Sequence, residues 1–224
     1  MTVKVTTTFD FPTDPQIWQE WFNHDVNGPS SWLLSARDLV GEMKSIAANL
    51  RTAWTEFHLR GSSEQNAPPR GMHRVYLLLS AIAVENLLKA VLVNQAKWPD
   101  SQITQKLPDE LHSHMLLDLA TKVALPLGDH EVDLLERLTE FGIWLGRYPA
   151  PTMLHHTKPK KLKSGMVNLS GFMYGSDIRE VESLVNKLLY ELEGVQDIQC
   201  VSRFPSRPKE EFEGYSISPN VRPW

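Results

Sequence analysis

A chain of 224 residues that is 42% apolar and 22% charged can close a hydrophobic core, and its composition excludes a disordered segment. Its formal net charge of −4 argues against general coating of nucleic acid but leaves room for a local basic patch. The single cysteine, Cys200, excludes an internal disulfide, and the start from Met1 to Thr8 lacks the apolar run of a secretion signal, so a cytoplasmic protein is expected.

Residues 1–12 alternate weakly, through Val3, Val5 and a run of threonines, which predicts a short edge strand or an extended arm. A short helix is expected over Asp14 to Asn23, with Pro15 at its first position, where a missing N–H does no harm. Trp18, Trp21 and Phe22 then share one of its faces. Gly28-Pro29 breaks the chain. Ser30 or Ser31 is the expected cap of a long helix reaching about Leu59. Ala36, Leu39, Met43, Ile46, Leu50, Ala53 and Phe57 recur at three- and four-residue steps along it, the pattern of one long buried stripe. Gly61-Ser62-Ser63 ends it, and Ala67-Pro68-Pro69 belongs to a polar connection.

The next helix is expected over residues 71–96, and its stretch from Val75 to Val93 is the one membrane-like segment. Glu85, Asn86 and Lys89 lie near its centre, where a charge costs roughly 2.5–3.5 kcal/mol in a bilayer. An apolar helix carrying such charges reads as the buried centre of a bundle, with no membrane partner.

After a loop with Pro99 and Pro108, a helix over residues 110–123 is expected to bury Leu111, Met115, Leu119 and Val123. Beyond Pro126-Leu127-Gly128, the acidic residues Asp129, Glu131 and Asp133 suit the first turn of another helix. That helix presents Leu134, Leu135, Leu138, Phe141 and Leu145 on one face, and Gly146 is placed to stop it. Residues 146–175 show no clear periodicity, which marks a long loop of functional or disordered type. The last helix is expected from a cap at Ser176 to Glu193, with Gly194 after it.

The fold expectation is therefore all-α: an up-and-down bundle of about five main helices with extended N- and C-terminal segments. Residues 1–70 supply an arm and a long helix, residues 71–193 the core and residues 194–224 a tail of prolines and aromatics, together one globular unit.

Ordinary catalytic signatures are absent: no Gly-rich phosphate loop, no paired-cysteine zinc pattern, no His-Glu-x-x-His and no Gly-x-Ser-x-Gly elbow. His112 and His114 have poor spacing for two ligands on one helical face, and no acidic residue lies between Glu140 and Asp177 to join His155 and His156 around an ion. Neither a metal nor a cofactor is expected.

Two constellations stand out. On the central helix, Glu85 and Lys89 are four apart in the better orientation for an ion pair, with Arg74 on the same side. These three are expected to form a structural polar network or the wall of a polar pocket. The loop from Gly146 carries Arg147, Tyr148, His155, His156, Lys158, Lys160, Lys161 and Lys163, a basic stretch with no acidic residue. Its cations suit phosphates, and Tyr148 offers a ring for a base. A solvated surface loop would read the same way.

Ala83-Val84-Glu85-Asn86-Leu87-Leu88-Lys89-Ala90 on a central helix, His114 entering the next with Leu117 and Leu119, and Arg147-Tyr148-Pro149 after the fourth long helix are found together here. In combination they resemble the HEPN superfamily of prokaryotic toxin, phage-defence and nucleotide-binding proteins, over residues 71–193. The resemblance implies a helical bundle, often a homodimer with a cleft between subunits, and adds His114 to the polar network of Glu85, Lys89 and Arg74.

Many members of that family are metal-independent ribonucleases in which an Arg is followed, after four to six residues, by a His. Carried to this chain, Arg147 would be the phosphate clamp and His155 or His156 the acid/base. Tyr148, Lys158, Lys160, Lys161 and Lys163 would be binding residues. Here seven residues separate Arg147 from His155 and eight separate it from His156. Arg51 and His58 do have six residues between them, but they lie outside the matched region, and such pairs arise by chance in a chain with this many arginines and histidines.

The irregular spacing favours a module that binds a nucleotide, RNA or an antitoxin-like protein partner without cutting. The alternatives are a metal-independent endoribonuclease toxin and a structural dimerisation scaffold.

Overall fold

The computed structural model describes residues 15–60, 70–98, 106–148, 150, 153–165, 167–168, 171 and 174–195. The expected N-terminal arm, the connection at 67–69 and the C-terminal tail lie outside the described residues. The architecture is the expected all-α helical bundle. Its helices are α1 (Pro15–Asn27), α2 (Pro29–Leu59), α3 (Arg70–Ala96), α4 (Leu116–Lys122), α5 (Asp129–Glu140) and α6 (Asp177–Glu191).

Helix α3 is the axis of the bundle. It packs against α1, α2, α4, α5, α6 and the turn that follows α5. By length and composition it could cross a membrane, but two-thirds of its most apolar window (67%) is buried inside the bundle. Tyr76, Leu77, Ala83, Val84, Leu87, Leu88 and Ala90 are almost fully buried, so burial of this helix supplies much of the apolar contact that holds the fold. Leu33, Ala36, Met43, Ala47 and Leu50 of α2 face it at the predicted helical spacing.

Several boundaries differ from the sequence expectation. Helix α1 runs on to Asn27, and α2 begins at Pro29 with Gly28 as its N-cap, rather than at a serine cap. Pro29 tolerates the first helical position, and the Ser31 hydroxyl is turned to Asp25, 3.3 Å away. Glycine is required at 28 because a Cβ there would lie 2.6 Å from the His24 carbonyl oxygen.

The expected helix over 110–123 is divided: a 3-10 turn at Asp109–Leu111, an extended stretch, then α4. The Ser113 hydroxyl accepts the Met115 N–H at 3.1 Å, and the Thr139 hydroxyl accepts the Leu116 N–H at 3.2 Å. These bonds satisfy the first turn of α4 from outside and leave Met115 exposed instead of buried.

Beyond α5 the chain continues as one π-helical segment, Phe141–Leu145. Gly142 and Gly146 let this segment lie against α3: a Cβ at 142 would stand 3.2 Å from the Ala81 Cβ, and one at 146 would stand 2.8 Å from the Leu78 Cβ. The loop that follows has more order than its sequence suggests. It holds a 3-10 turn (Leu154–Thr157) and a two-stranded antiparallel hairpin, β1 (Lys160–Lys161) with β2 (Val167–Asn168). Ser176 occupies the N-cap of α6 as expected but makes no side-chain cap bond, and Gly194 after the helix adopts a left-handed φ of +91°.

Candidate functional site

The loop from Arg147 to Lys163 is held at both ends by side chains of the bundle. At its start, the Arg74 guanidinium donates from Nε to the Leu145 carbonyl at 2.5 Å and from Nη2 to the Tyr148 carbonyl. Carbonyls left over at a helix C-terminus are thereby capped by a cation, which also favours the helix dipole. Arg74 thus serves the basic loop rather than the Glu85–Lys89 pair. Eleven residues of helix, about 16 Å of rise, separate it from Glu85 along α3.

In the middle of the loop, the His156 ring stacks on Trp144 at 4.8 Å and 3° from parallel. Trp144 is 3% exposed, and its carbonyl also accepts the Arg147 and Tyr148 N–H groups at 3.0 and 2.9 Å. One residue of the π-helical turn therefore holds both the Arg147-Tyr148 step and His156.

At the hairpin, buried Asp133 of α5 accepts the Lys163 N–H at 2.8 Å and the Ser164 N–H at 3.0 Å. Burial pushes the Asp133 carboxyl up. The Ser164 hydroxyl beside it, short of full hydrogen-bond geometry, and the two amides outweigh that push and hold the group below the ordinary carboxylate value. Leu162 is 4% exposed and anchors the strand apolarly, while Lys161 and Lys163 on either side of it point to solvent.

The cations divide into two groups. Lys160 pairs with Glu136 of α5 at 2.8 Å, so one of the expected binding lysines is neutralised by an acid that the loop itself does not contain. Arg147, Lys158, Lys161 and Lys163 are exposed, and their side chains make no ion pair or hydrogen bond among the described residues. Tyr148 is 51% exposed. No group of three or more His, Cys, Asp or Glu side chains that could hold a metal occurs among the described residues. Arg51, the other candidate in an Arg-to-His pairing, is bound to Glu182 at 2.5 Å, and His58 stacks on Trp54.

The polar centre on α3 is real and separate. Glu85 Oε1 accepts from the Lys89 ammonium at 2.6 Å and from His114 Nδ1 at 2.9 Å. Lys89 is 4% exposed and also stands over the Trp32 ring at 5.5 Å.

A second buried polar centre escapes the sequence reading. Asp177 is fully buried and accepts from Arg137 Nη2 at 2.6 Å and from the Tyr174 N–H at 2.8 Å. His73 Nε2 lies 3.3 Å from its other oxygen, within ion-pair reach but outside hydrogen-bond geometry. The Tyr174 ring covers the Arg137 guanidinium at 4.4 Å. This group ties α3, α5 and α6 together and fixes the far end of the loop at Tyr174. One signal was available: Arg137 stands between Leu134, Leu138 and Phe141, on the buried face of α5, where an arginine needs a buried partner.

The assembled surface is a fixed basic loop with an exposed arginine-tyrosine step. It can attract phosphates and offer a ring face, and it presents no constellation that activates a metal-bound water. No family model, curated protein or solved structure matches the chain.

Proposed function

We propose that this protein is a non-catalytic binder of RNA or nucleotide phosphates, of HEPN-like type, acting through the loop of residues 147–163. The observation that carries the reading is the contrast between pinned backbone and unpaired cations. Arg74, Trp144, Leu162 and Asp133 fix the loop, while Arg147, Lys158, Lys161 and Lys163 spend no charge on the protein itself. A preorganised cationic surface loses little ordering entropy on binding a phosphate chain. A homodimer that joins two such loops, and an antitoxin-like acidic partner that covers them, belong to the same proposal.

A second reading, a metal-independent endoribonuclease, draws support from the Trp144–His156 stack, which holds His156 on the residue whose carbonyl fixes Arg147. Incubation of single-stranded RNA with the protein in excess chelator separates the two. The binder retains intact RNA in a complex that weakens in Arg147→Ala. The nuclease cuts it, and loses cutting in both Arg147→Ala and the double change His155→Ala, His156→Ala. Absence of any complex with RNA or nucleotide overturns both readings.

A further inference from the structure

His114 occupies an open face of the bundle, 66% exposed, just ahead of α4. Its Nδ1 is 2.9 Å from Glu85 Oε1, and an ionised carboxylate only accepts, so the proton of a neutral ring sits on Nδ1. Nε2 is left with its lone pair toward solvent and makes no contact among the described residues. Glu85 is itself only 18% exposed and charge-compensated by buried Lys89, so the carboxylate is fixed rather than wandering. This is an imidazole with one nitrogen oriented and the other free, the arrangement that raises basicity and nucleophilicity at the free nitrogen.

The surroundings narrow the chemistry. Acyl transfer needs donors for an oxyanion, yet the two amides that follow His114 are already taken, Met115 by the Ser113 hydroxyl and Leu116 by the Thr139 hydroxyl. Phosphoryl transfer passes through a loose transition state and asks chiefly for an aligned nucleophile. Its charge is carried by oxygens of the donor.

We propose that His114 Nε2 is a phosphoryl acceptor and Glu85 its positioning residue, a site independent of the basic loop. With phosphoramidate, the Nε2 lone pair forms the N–P bond while the donor P–N bond breaks, and ammonia leaves with that electron pair. The Nδ1 proton stays on the ring, where the Glu85 carboxylate offsets the new positive charge.

The test is incubation of the full chain with potassium phosphoramidate and mapping of phosphohistidine by mass spectrometry. His24, His58, His112 and His130 are also exposed and serve as internal controls. His114 is expected to react roughly tenfold faster than these, the scale on which an orienting partner alters a histidine. Glu85→Gln is expected to bring it to their rate. Labelling of His114 no faster than the controls overturns the proposal, as does an unchanged rate in folded Glu85→Gln. Should that variant fail to fold, 15N shifts of the wild-type His114 ring decide: the Nδ1–H tautomer is expected, and a dominant Nε2–H tautomer contradicts the assignment.

Discussion

Glu85 and Arg147 carry the same magnitude of charge and opposite structural weights. Removing Glu85 leaves the Lys89 ammonium buried without its carboxylate and His114 without its acceptor. Breaking a buried pair on one side costs about 3–5 kcal/mol, reduced here because Glu85 is partly exposed. Arg147 is exposed and unpaired among the described residues, so its loss changes stability by less than about 0.5 kcal/mol. Urea unfolding of Glu85→Ala and Arg147→Ala is expected to show a large loss of midpoint in the first and almost none in the second. Equal midpoints would contradict the buried status of the pair.

The π-helical segment after α5 is the element on which the loop depends. It reorients the chain so that Trp144 turns inward and the carbonyls of Leu145 and Tyr148 meet Arg74. Such insertions into helices are frequently found at functional sites. Gly146→Ala would place a Cβ 2.6 Å from the Phe141 carbonyl oxygen and 2.8 Å from Leu78, so the segment must shift. The expected cost is about 1–3 kcal/mol, the range for overpacking, with weaker RNA binding because Arg147 and Tyr148 move with it. A thermal melt and an affinity both equal to wild type would show that the close approach is not needed.

This element also marks where the sequence stopped being legible. The apolar stripe through Leu134, Leu138 and Phe141 announces a helix, but its change from α to π pitch depends on two glycines meeting α3, a contact no local pattern encodes. The break before α4 had the same kind of cause, a hydroxyl from α5 capping Leu116. The cations and the aromatic of the candidate site were visible as a basic run. Their division into paired Lys160 and unpaired Lys161 and Lys163 was not, because Glu136 and Asp133 come from another element.

Across the whole molecule, α3 joins an apolar interior to three polar centres, and one of its groups gives a pH signature. Tyr76 is fully buried; loss of water around its phenol, and then the nearby Glu182 carboxylate, push its ionisation well above the ordinary value near 10. A raised value in the folded state means that its contribution is fully present below about pH 10 and is lost as pH climbs from there through the folded value. Each pH unit in that window removes up to about 1.4 kcal/mol. Wild type is therefore expected to lose stability more steeply than Tyr76→Phe between pH 10 and 11 in urea titrations. Parallel curves would show that the phenol ionises equally in both states.

The basic loop is the molecule's best-fixed unpaired charge and the basis of the functional reading, so the decisive measurement is the salt dependence of binding to a fluorescent single-stranded RNA. Wild type is compared with the triple variant Arg147→Ala, Lys161→Ala, Lys163→Ala. Each phosphate contact on a single strand contributes about 0.7 to the slope of log affinity against log salt. Loss of three contacts is expected to flatten that slope by about 2 and to weaken binding at low salt. An unchanged slope and affinity would place any RNA contact elsewhere and contradict the account.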